Sequence, residues 1–174
     1  ALTFAKAVEF IITAMDISIC FADFPTEPIG DTTRKFRQLG IGYANLGALL
    51  MATGLAYDSE GGRALAAAIT SLMTGTAYKR SAELAGVVGP YEGYARNIEG
   101  HKRVMRKHQA ASEALKPFTS LDGDVLRLAT ASWAEGNRIG QENGWRNAQA
   151  SVLAPTGTIG FMMDCDTTGI EPDF

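Results

Sequence analysis

The spacing of apolar and polar positions predicts a chain built mostly from helices. Over long stretches, apolar side chains recur every three or four residues with polar residues between them, which is the pattern of one buried face of an α-helix. Long helices are expected over residues 2–21, 59–84, 91 to about 115, and from a cap at Asp122 or Asp124 to about 143. Small residues on the second of these helices indicate close packing against a neighbour.

Two short apolar runs are predicted as strands or tight crossings. One covers residues 38–43 and contains two glycines, and the other covers residues 148–154. Because several helices separate them, this order favours parallel pairing in a helix-rich α/β fold. Two strands are too few for an independent sheet, so the missing strands are expected to come from outside this chain.

Shorter elements connect these segments. A loop rich in proline and glycine is expected over residues 24–30, followed by a helical turn that Asp31 or Thr32 caps. A short helix is expected over residues 45–53. The chain opens inside an amphipathic pattern and closes without a terminating element. Residues 1–174 are therefore expected to be an internal portion of a domain that is truncated at both ends.

Composition and charge narrow the class of protein. With 46% hydrophobic and 20% charged residues, the chain is typical of a soluble globular domain. A net charge of −3 argues against a globally basic nucleic-acid binder, and no apolar run is long enough to cross a bilayer. Cys20 and Cys165 lie too far apart for a metal-binding motif, so both are expected to be free thiols in a reducing cytoplasm.

The strongest candidate for chemistry is a turn near the end of the chain, at Pro155, Thr156, Gly157 and Thr158. If a helix starts near Thr158, its first backbone amides have no acceptor within the helix, and such amides bind anions, especially phosphate. Gly157 permits close approach of a ligand. The alternative is a common turn in which a threonine only caps the helix, and composition alone favours that alternative.

Three other groups of residues are interpreted as structural. The carboxylates around Cys165, over residues 164–172, favour a polar loop rather than a metal site, because no histidine lies nearby. Cys20 is interpreted as part of a hydrophobic helix face, and Cys165 has no basic neighbour to support a thiolate. The basic residues Lys102, Arg103, Arg106 and Lys107 favour a solvated helix face, and His101 and His108 are expected on that same exposed surface.

Three strings in this sequence resemble ribonucleotide reductase large subunits. They are Arg37-Gln38-Leu39-Gly40-Ile41-Gly42 with Asn45-Leu46-Gly47, then Leu153-Ala154-Pro155-Thr156-Gly157-Thr158-Ile159, and finally Gly169-Ile170-Glu171-Pro172. They occur in the family's order, so the resemblance covers essentially the whole chain. The residues of the second and third strings are most similar to those of the adenosylcobalamin-dependent (vitamin B12, class II) enzymes.

The resemblance implies part of a ten-stranded α/β barrel that converts ribonucleotides to 2′-deoxyribonucleotides by thiyl-radical chemistry. It implies adenosylcobalamin as cofactor, a ribonucleoside di- or triphosphate as substrate, and a dithiol reductant such as thioredoxin. The remainder of the barrel is a further implied partner, whereas nucleic acid and membrane are not. Matched to the family's motif, the substrate phosphates would rest on Pro155, Thr156, Gly157, Thr158 and the backbone of Ile159.

The resemblance assigns no catalytic residue to this chain. The family's radical cysteine lies in an N-x-C-x-E string upstream of the first motif, and this sequence contains no such string. The fragment alone is therefore expected to be inactive. One alternative is a stand-alone helical interaction module that uses the helix at 91–115. Another is a phosphate-binding enzyme of unrelated chemistry, although the sequence offers it no acid–base pair or nucleophile.

Overall fold

The chain folds as a packed assembly of helices, and the computed structural model describes residues 1–173. The helices are α1 (Leu2–Ile19), α2 (Glu27–Phe36), α3 (Leu46–Ala52), α4 (Glu60–Val88), α5 (Tyr94–Glu113), α6 (Ser120–Asn143) and α7 (Gly157–Met162). The four long helices predicted from periodicity are confirmed to within a few residues at their ends. No helix in this part of the chain is both long enough and apolar enough to cross a membrane.

The expected α/β fold, with this chain as part of a ten-stranded barrel, is wrong for these residues. Within residues 1–173 the two predicted strands meet only at an isolated parallel bridge between Ile41 and Ser151. Leu39 N–H donates to Gln149 C=O over 2.8 Å, and Val152 N–H donates to Ile41 C=O over 2.9 Å. The physical reason is that each run is short and helices flank both, so helix packing rather than strand pairing buries the apolar side chains.

Helices α4 and α6 form the centre of the core because small residues let them approach closely. A Cβ atom at Gly75 would lie 2.9 Å from the ring of Trp133, and one at Gly136 would lie 3.0 Å from the backbone of Lys79. Ala68, Ala77 and Ala82 on α4 are fully buried. The close packing predicted for α4 is therefore confirmed.

The helix caps explain most of the differences between the predicted and the observed helix ends. Ser59 caps α4 as predicted, and its hydroxyl accepts the Gly62 N–H over 2.9 Å. The cap of α6 is Thr119, whereas Asp122 occupies the third helical position and completes a capping box. The predicted loop at 24–30 is too long, because α2 already begins at Glu27 and holds Pro28 in its first turn.

A buried polar network joins three distant segments of the chain. The Asp16 carboxylate on α1 accepts from Arg37 Nε over 2.9 Å, from Asn147 Nδ2 over 2.9 Å and from Arg146 Nε over 3.2 Å. Ser81 on α4 extends the network, since its hydroxyl lies 2.8 Å from Asn147 Oδ1 and accepts the Asn147 N–H over 2.9 Å. Asp16 and Arg37 are both almost fully buried. In the sequence, Asp16 is only one of several polar positions along α1.

Arg37 holds an unusual conformation because of this network. Its φ angle is 47°, in the left-handed region that disfavours residues other than glycine. Burial disfavours the charged guanidinium, but the hydrogen bond and charge of Asp16 outweigh that effect and raise the pKa of Arg37. The ion pair thus stabilises both the charge and the strained backbone at the end of α2.

Replacing Arg37 with methionine tests how much the fold depends on this pair. The variant leaves Asp16 buried with fewer donors, so we expect the free energy of unfolding to fall by roughly 3 kcal/mol. Urea denaturation followed by circular dichroism measures it. The control is Arg127→Met, which removes an exposed ion pair with Asp124 and should cost less than about 1 kcal/mol. Equal losses in the two variants would contradict the structural role of the network.

The expectation that His101 lies on an exposed surface is wrong. His101 is only 8% exposed and stacks on Trp145 with 4.8 Å between ring centroids. Its Nδ1 atom lies 3.1 Å from the Tyr91 hydroxyl. Burial lowers the pKa of His101 to about 4, so the ring is neutral at neutral pH. His108 is more exposed and stacks on Trp133 with centroids 5.5 Å apart.

This buried histidine predicts a pH dependence of stability. Because its folded-state pKa of about 4 lies below the ordinary value of 6.5, the unfolded chain binds the proton first as the pH falls. The stability is therefore complete above about pH 6.5 and declines towards pH 4, by on the order of 1–3 kcal/mol. Urea unfolding at a series of pH values measures it. His101→Phe should flatten this part of the profile, and an unchanged profile in that variant would assign the dependence to other groups.

Candidate functional site

The turn predicted from sequence is an exposed entrance to α7. Thr156 occupies the N-cap position with a φ angle of 53°, and its side chain makes no capping hydrogen bond to the helix. The backbone N–H groups of Gly157, Thr158 and Ile159 therefore have no acceptor among residues 1–173. These three residues are exposed. The alternative in which threonine only caps the helix is not the arrangement found here.

Thr156 instead connects the turn to the segment that follows α7. Its Oγ1 atom accepts the N–H of buried Gly169 over 2.7 Å. Gly169 has a φ angle of 47°, and a Cβ atom there would lie 2.9 Å from Ala154 O and 3.0 Å from Pro155 O. Only glycine fits beneath the turn at this position. The Thr156 hydroxyl keeps its own hydrogen, which remains available to donate to a ligand.

The residues on both sides of Gly169 also pack against the start of α3. Asn45 Oδ1 accepts the Thr167 N–H over 3.0 Å, and Thr167 Oγ1 accepts the Ala48 N–H over 3.2 Å. A Cβ atom at Gly47 would lie 2.7 Å from Glu171 O. The sequence pattern predicts no such role for Asn45 or Thr167. Nothing in the local pattern identifies them, because their partners lie about 120 residues away.

The structure therefore brings together all three strings that carried the resemblance. The first string crosses the segment before the turn, where a Cβ atom at Gly42 would lie 2.6 Å from Val152 O. Gly47 at the end of the first string lies against Glu171 of the third string, and Asn45 accepts the N–H of Thr167, two residues before the third string. The third string contacts the turn through Gly169. The contacts of Thr156 and Gly169 hold the turn on one side, and its other side is open, since a Cβ atom at Gly157 would have no neighbour within 4 Å among residues 1–173.

The acidic stretch over residues 164–172 is a polar loop, as predicted. Thr168 Oγ1 donates to Glu171 Oε2 over 2.8 Å, and Asp164 adopts a left-handed turn conformation with a φ angle of 59°. Among residues 1–173, no group of three histidine, cysteine, aspartate or glutamate side chains is arranged to hold a metal ion. The loop supports the turn through Gly169.

The two cysteines lie in different environments. Both are free thiols, with Cys165 half-buried in the loop after α7. Cys20 was predicted to be part of a hydrophobic helix face, but it is exposed just beyond the end of α1. Its sulfur accepts a weak hydrogen bond from an Arg37 terminal nitrogen, which lies 3.7 Å away.

Comparison with known proteins gives one family over the entire chain. A family model described as "Ribonucleotide reductase, barrel domain" matches residues 1–174. The chain is 74% identical over 170 residues to a vitamin B12-dependent ribonucleotide reductase of Streptantibioticus cattleyicolor, covering 98% of this chain and 28% of that protein. It is 69% identical over 170 residues to the protein of the same name from Streptomyces avermitilis, covering 98% and 18%.

A more distant relative gives the same result. The vitamin B12-dependent ribonucleotide reductase of Agrobacterium fabrum is 43% identical over 185 residues, covering 98% of this chain and 14% of that protein. The chain thus spans less than a third of the length of these relatives.

Replacing Thr156 with valine tests how the turn is held. The variant removes the acceptor of the buried Gly169 N–H, so amide hydrogen exchange at Gly169 should become roughly tenfold faster. Nuclear magnetic resonance on labelled protein measures this rate. Thr158→Val is the matched control, because the Thr158 hydroxyl is exposed and makes no hydrogen bond within residues 1–173. Unchanged exchange in the Thr156 variant would contradict the bond.

Proposed function

The chain belongs to the ribonucleotide reductase family, and we propose that its turn binds the phosphate groups of a ribonucleotide substrate. The residues that would hold the phosphates are Pro155, Thr156, Gly157, Thr158 and Ile159. The observation that carries this proposal is the set of three exposed backbone amides at 157, 158 and 159, which have no acceptor among residues 1–173.

The chemistry of the turn suits a phosphate in three ways. The three amides point out of the first turn of α7, where the partial positive charge of the helix end adds to their attraction for an anion. The Thr156 and Thr158 hydroxyls supply further donors. Gly157 leaves the space above the turn open, so a phosphate oxygen can approach the backbone directly.

In the proposed reaction this chain positions the substrate. Fixing the phosphates to a turn that is itself held by Gly169 restrains where the ribose lies, and such positioning is a large part of the rate enhancement of enzymes. The reduction of the ribose 2′ carbon by thiyl-radical chemistry needs a radical cysteine, and we assign that role to neither Cys20 nor Cys165. The substrate would be a ribonucleoside di- or triphosphate, and the electrons would come from a dithiol such as thioredoxin in the cytoplasm.

The relatives' name specifies vitamin B12, and the proposal extends to adenosylcobalamin as the cofactor of the whole enzyme. When bound, that cofactor supplies the radical. Two cavities among residues 1–173 measure about 530 and 560 Å³, which is the size that holds drug-sized ligands rather than a corrin ring with its attached nucleotide. The residues described here do not fit a complete cobalamin site, and we derive no step through the cofactor.

Replacing Gly157 with valine tests the turn as a phosphate site. A valine side chain would project into the open space above the turn and obstruct the anion, without a clash in the protein itself. We expect the affinity for a ribonucleoside diphosphate to fall at least about tenfold, because amide hydrogen bonds to the charged phosphate are lost. Isothermal titration calorimetry measures it, with inorganic pyrophosphate as a second ligand.

The matched control is Gly100→Val on α5, where a Cβ atom also has no neighbour within 4 Å. This variant should bind the nucleotide as the unmodified chain does. Undiminished affinity in the Gly157 variant, with a normal circular dichroism spectrum, would remove the turn from the substrate site.

A further inference from the structure

Helix α5 carries an outward face rich in positive charge, which we call the cationic face. Its members are Arg96, Lys102, Arg103, Arg106 and Lys107. We propose that the cationic face is a docking surface for an acidic segment of another protein. This site is separate from the phosphate turn, and the proposal does not depend on the function proposed above.

The two sides of α5 have opposite character. Its buried residues, Tyr94, His101, Met105 and Ser112, recur at spacings of seven and four and pack into the fold. Arg96, Arg103 and Lys107 recur at the same spacings half a turn away, which places them in line on the outer side. With a rise of about 1.5 Å per residue, this line extends roughly 16 Å from Arg96 to Lys107.

Within residues 1–173, the charges on this face form no ion pairs, unlike most of the other lysines and arginines. Among the described residues, the lysines and arginines within 4 Å of a carboxylate are Lys6, Arg34, Arg37, Arg63, Lys79, Arg80, Arg127, Arg138 and Arg146. None of the five members of the cationic face is so paired within residues 1–173. Lys35 and Lys116 are the remaining two cations, and they lie outside α5.

The five cations lie close together on one helix, and their charges therefore add. Five like charges within three helical turns raise the local positive potential, although the chain as a whole has a net charge of −3. Only one carboxylate, Glu99, lies in the helix between the first and last of them, and it forms no ion pair within residues 1–173. Lys102 Nζ donates to the Gln141 carbonyl over 3.3 Å, which holds one edge of the face against α6.

The composition of this surface favours a polypeptide partner over a nucleic acid. Three of the five members are arginine, which pairs through two parallel hydrogen bonds with carboxylates and with phosphates alike, so the neighbouring residues decide between the two kinds of partner. Val104 and Ile98 border the face and are 43% and 37% exposed, so they offer aliphatic contacts that a peptide can cover. No exposed aromatic side chain lies between the cations for bases to stack on. Acidic side chains interspersed with small apolar ones match this pattern.

Fluorescence anisotropy with a labelled oligoglutamate peptide tests the proposal. The unmodified chain should bind the peptide, and binding should weaken as salt rises from about 50 mM to about 200 mM because the contacts are electrostatic. A triple variant with Arg103→Glu, Arg106→Glu and Lys107→Glu should bind at least about tenfold more weakly. Circular dichroism establishes that the variant is folded. If it is not, the corresponding triple glutamine variant replaces it, with the same expected direction.

The matched control changes net charge by the same amount elsewhere, with Lys35→Glu, Lys116→Glu and Arg127→Glu. This variant should keep most of the affinity if the cationic face is the binding surface. Equal losses in both triple variants would show a non-specific charge effect and overturn the proposal. Stronger binding of a double-stranded oligonucleotide or of phosphatidylserine vesicles than of the peptide would also overturn it, in favour of a nucleic-acid or membrane surface.

Discussion

Burying the Asp16 carboxylate requires hydrogen-bond donors that α1 cannot itself supply. These donors are Arg37, Arg146 and Asn147, which stand at the starts of the two segments that contain the apolar runs 38–43 and 148–154. An unpaired buried carboxylate would be too costly to retain, so this requirement fixes where both segments cross beneath α1. The left-handed backbone at Arg37 is held in place by the same contacts.

The position of the candidate site follows from that crossing. Because the two segments run parallel at the bridge between Ile41 and Ser151, the residues that follow each segment lie at the same end of the fold. Asn45 then reaches the loop after α7, and Gly169 of that loop supports the turn through Thr156. The turn can leave three amides exposed because its own backbone is held from beneath rather than by a cap on α7.

Helix α5 shows how one element serves both the core and the surface. Its inner side places His101 among Tyr91, Tyr94 and Trp145, where burial keeps the imidazole neutral. Its outer side carries the cations that find no carboxylate within residues 1–173. The helix packs through its aromatic side, and this leaves the outer residues free to vary without affecting stability.

The sequence by itself determined the helices, most of their ends and the location of the turn, because apolar periodicity and capping involve residues within a few positions of one another. The resemblance carried by the three strings gave the family. The tertiary structure decided that the two apolar runs form one bridge rather than strands of a sheet, that His101 is buried, and that Asp16 organises the crossing. These outcomes depend on partners far away in the chain, such as Asn147, which lies 131 positions from Asp16. No local pattern encodes such a contact, since it exists only once the helices have packed.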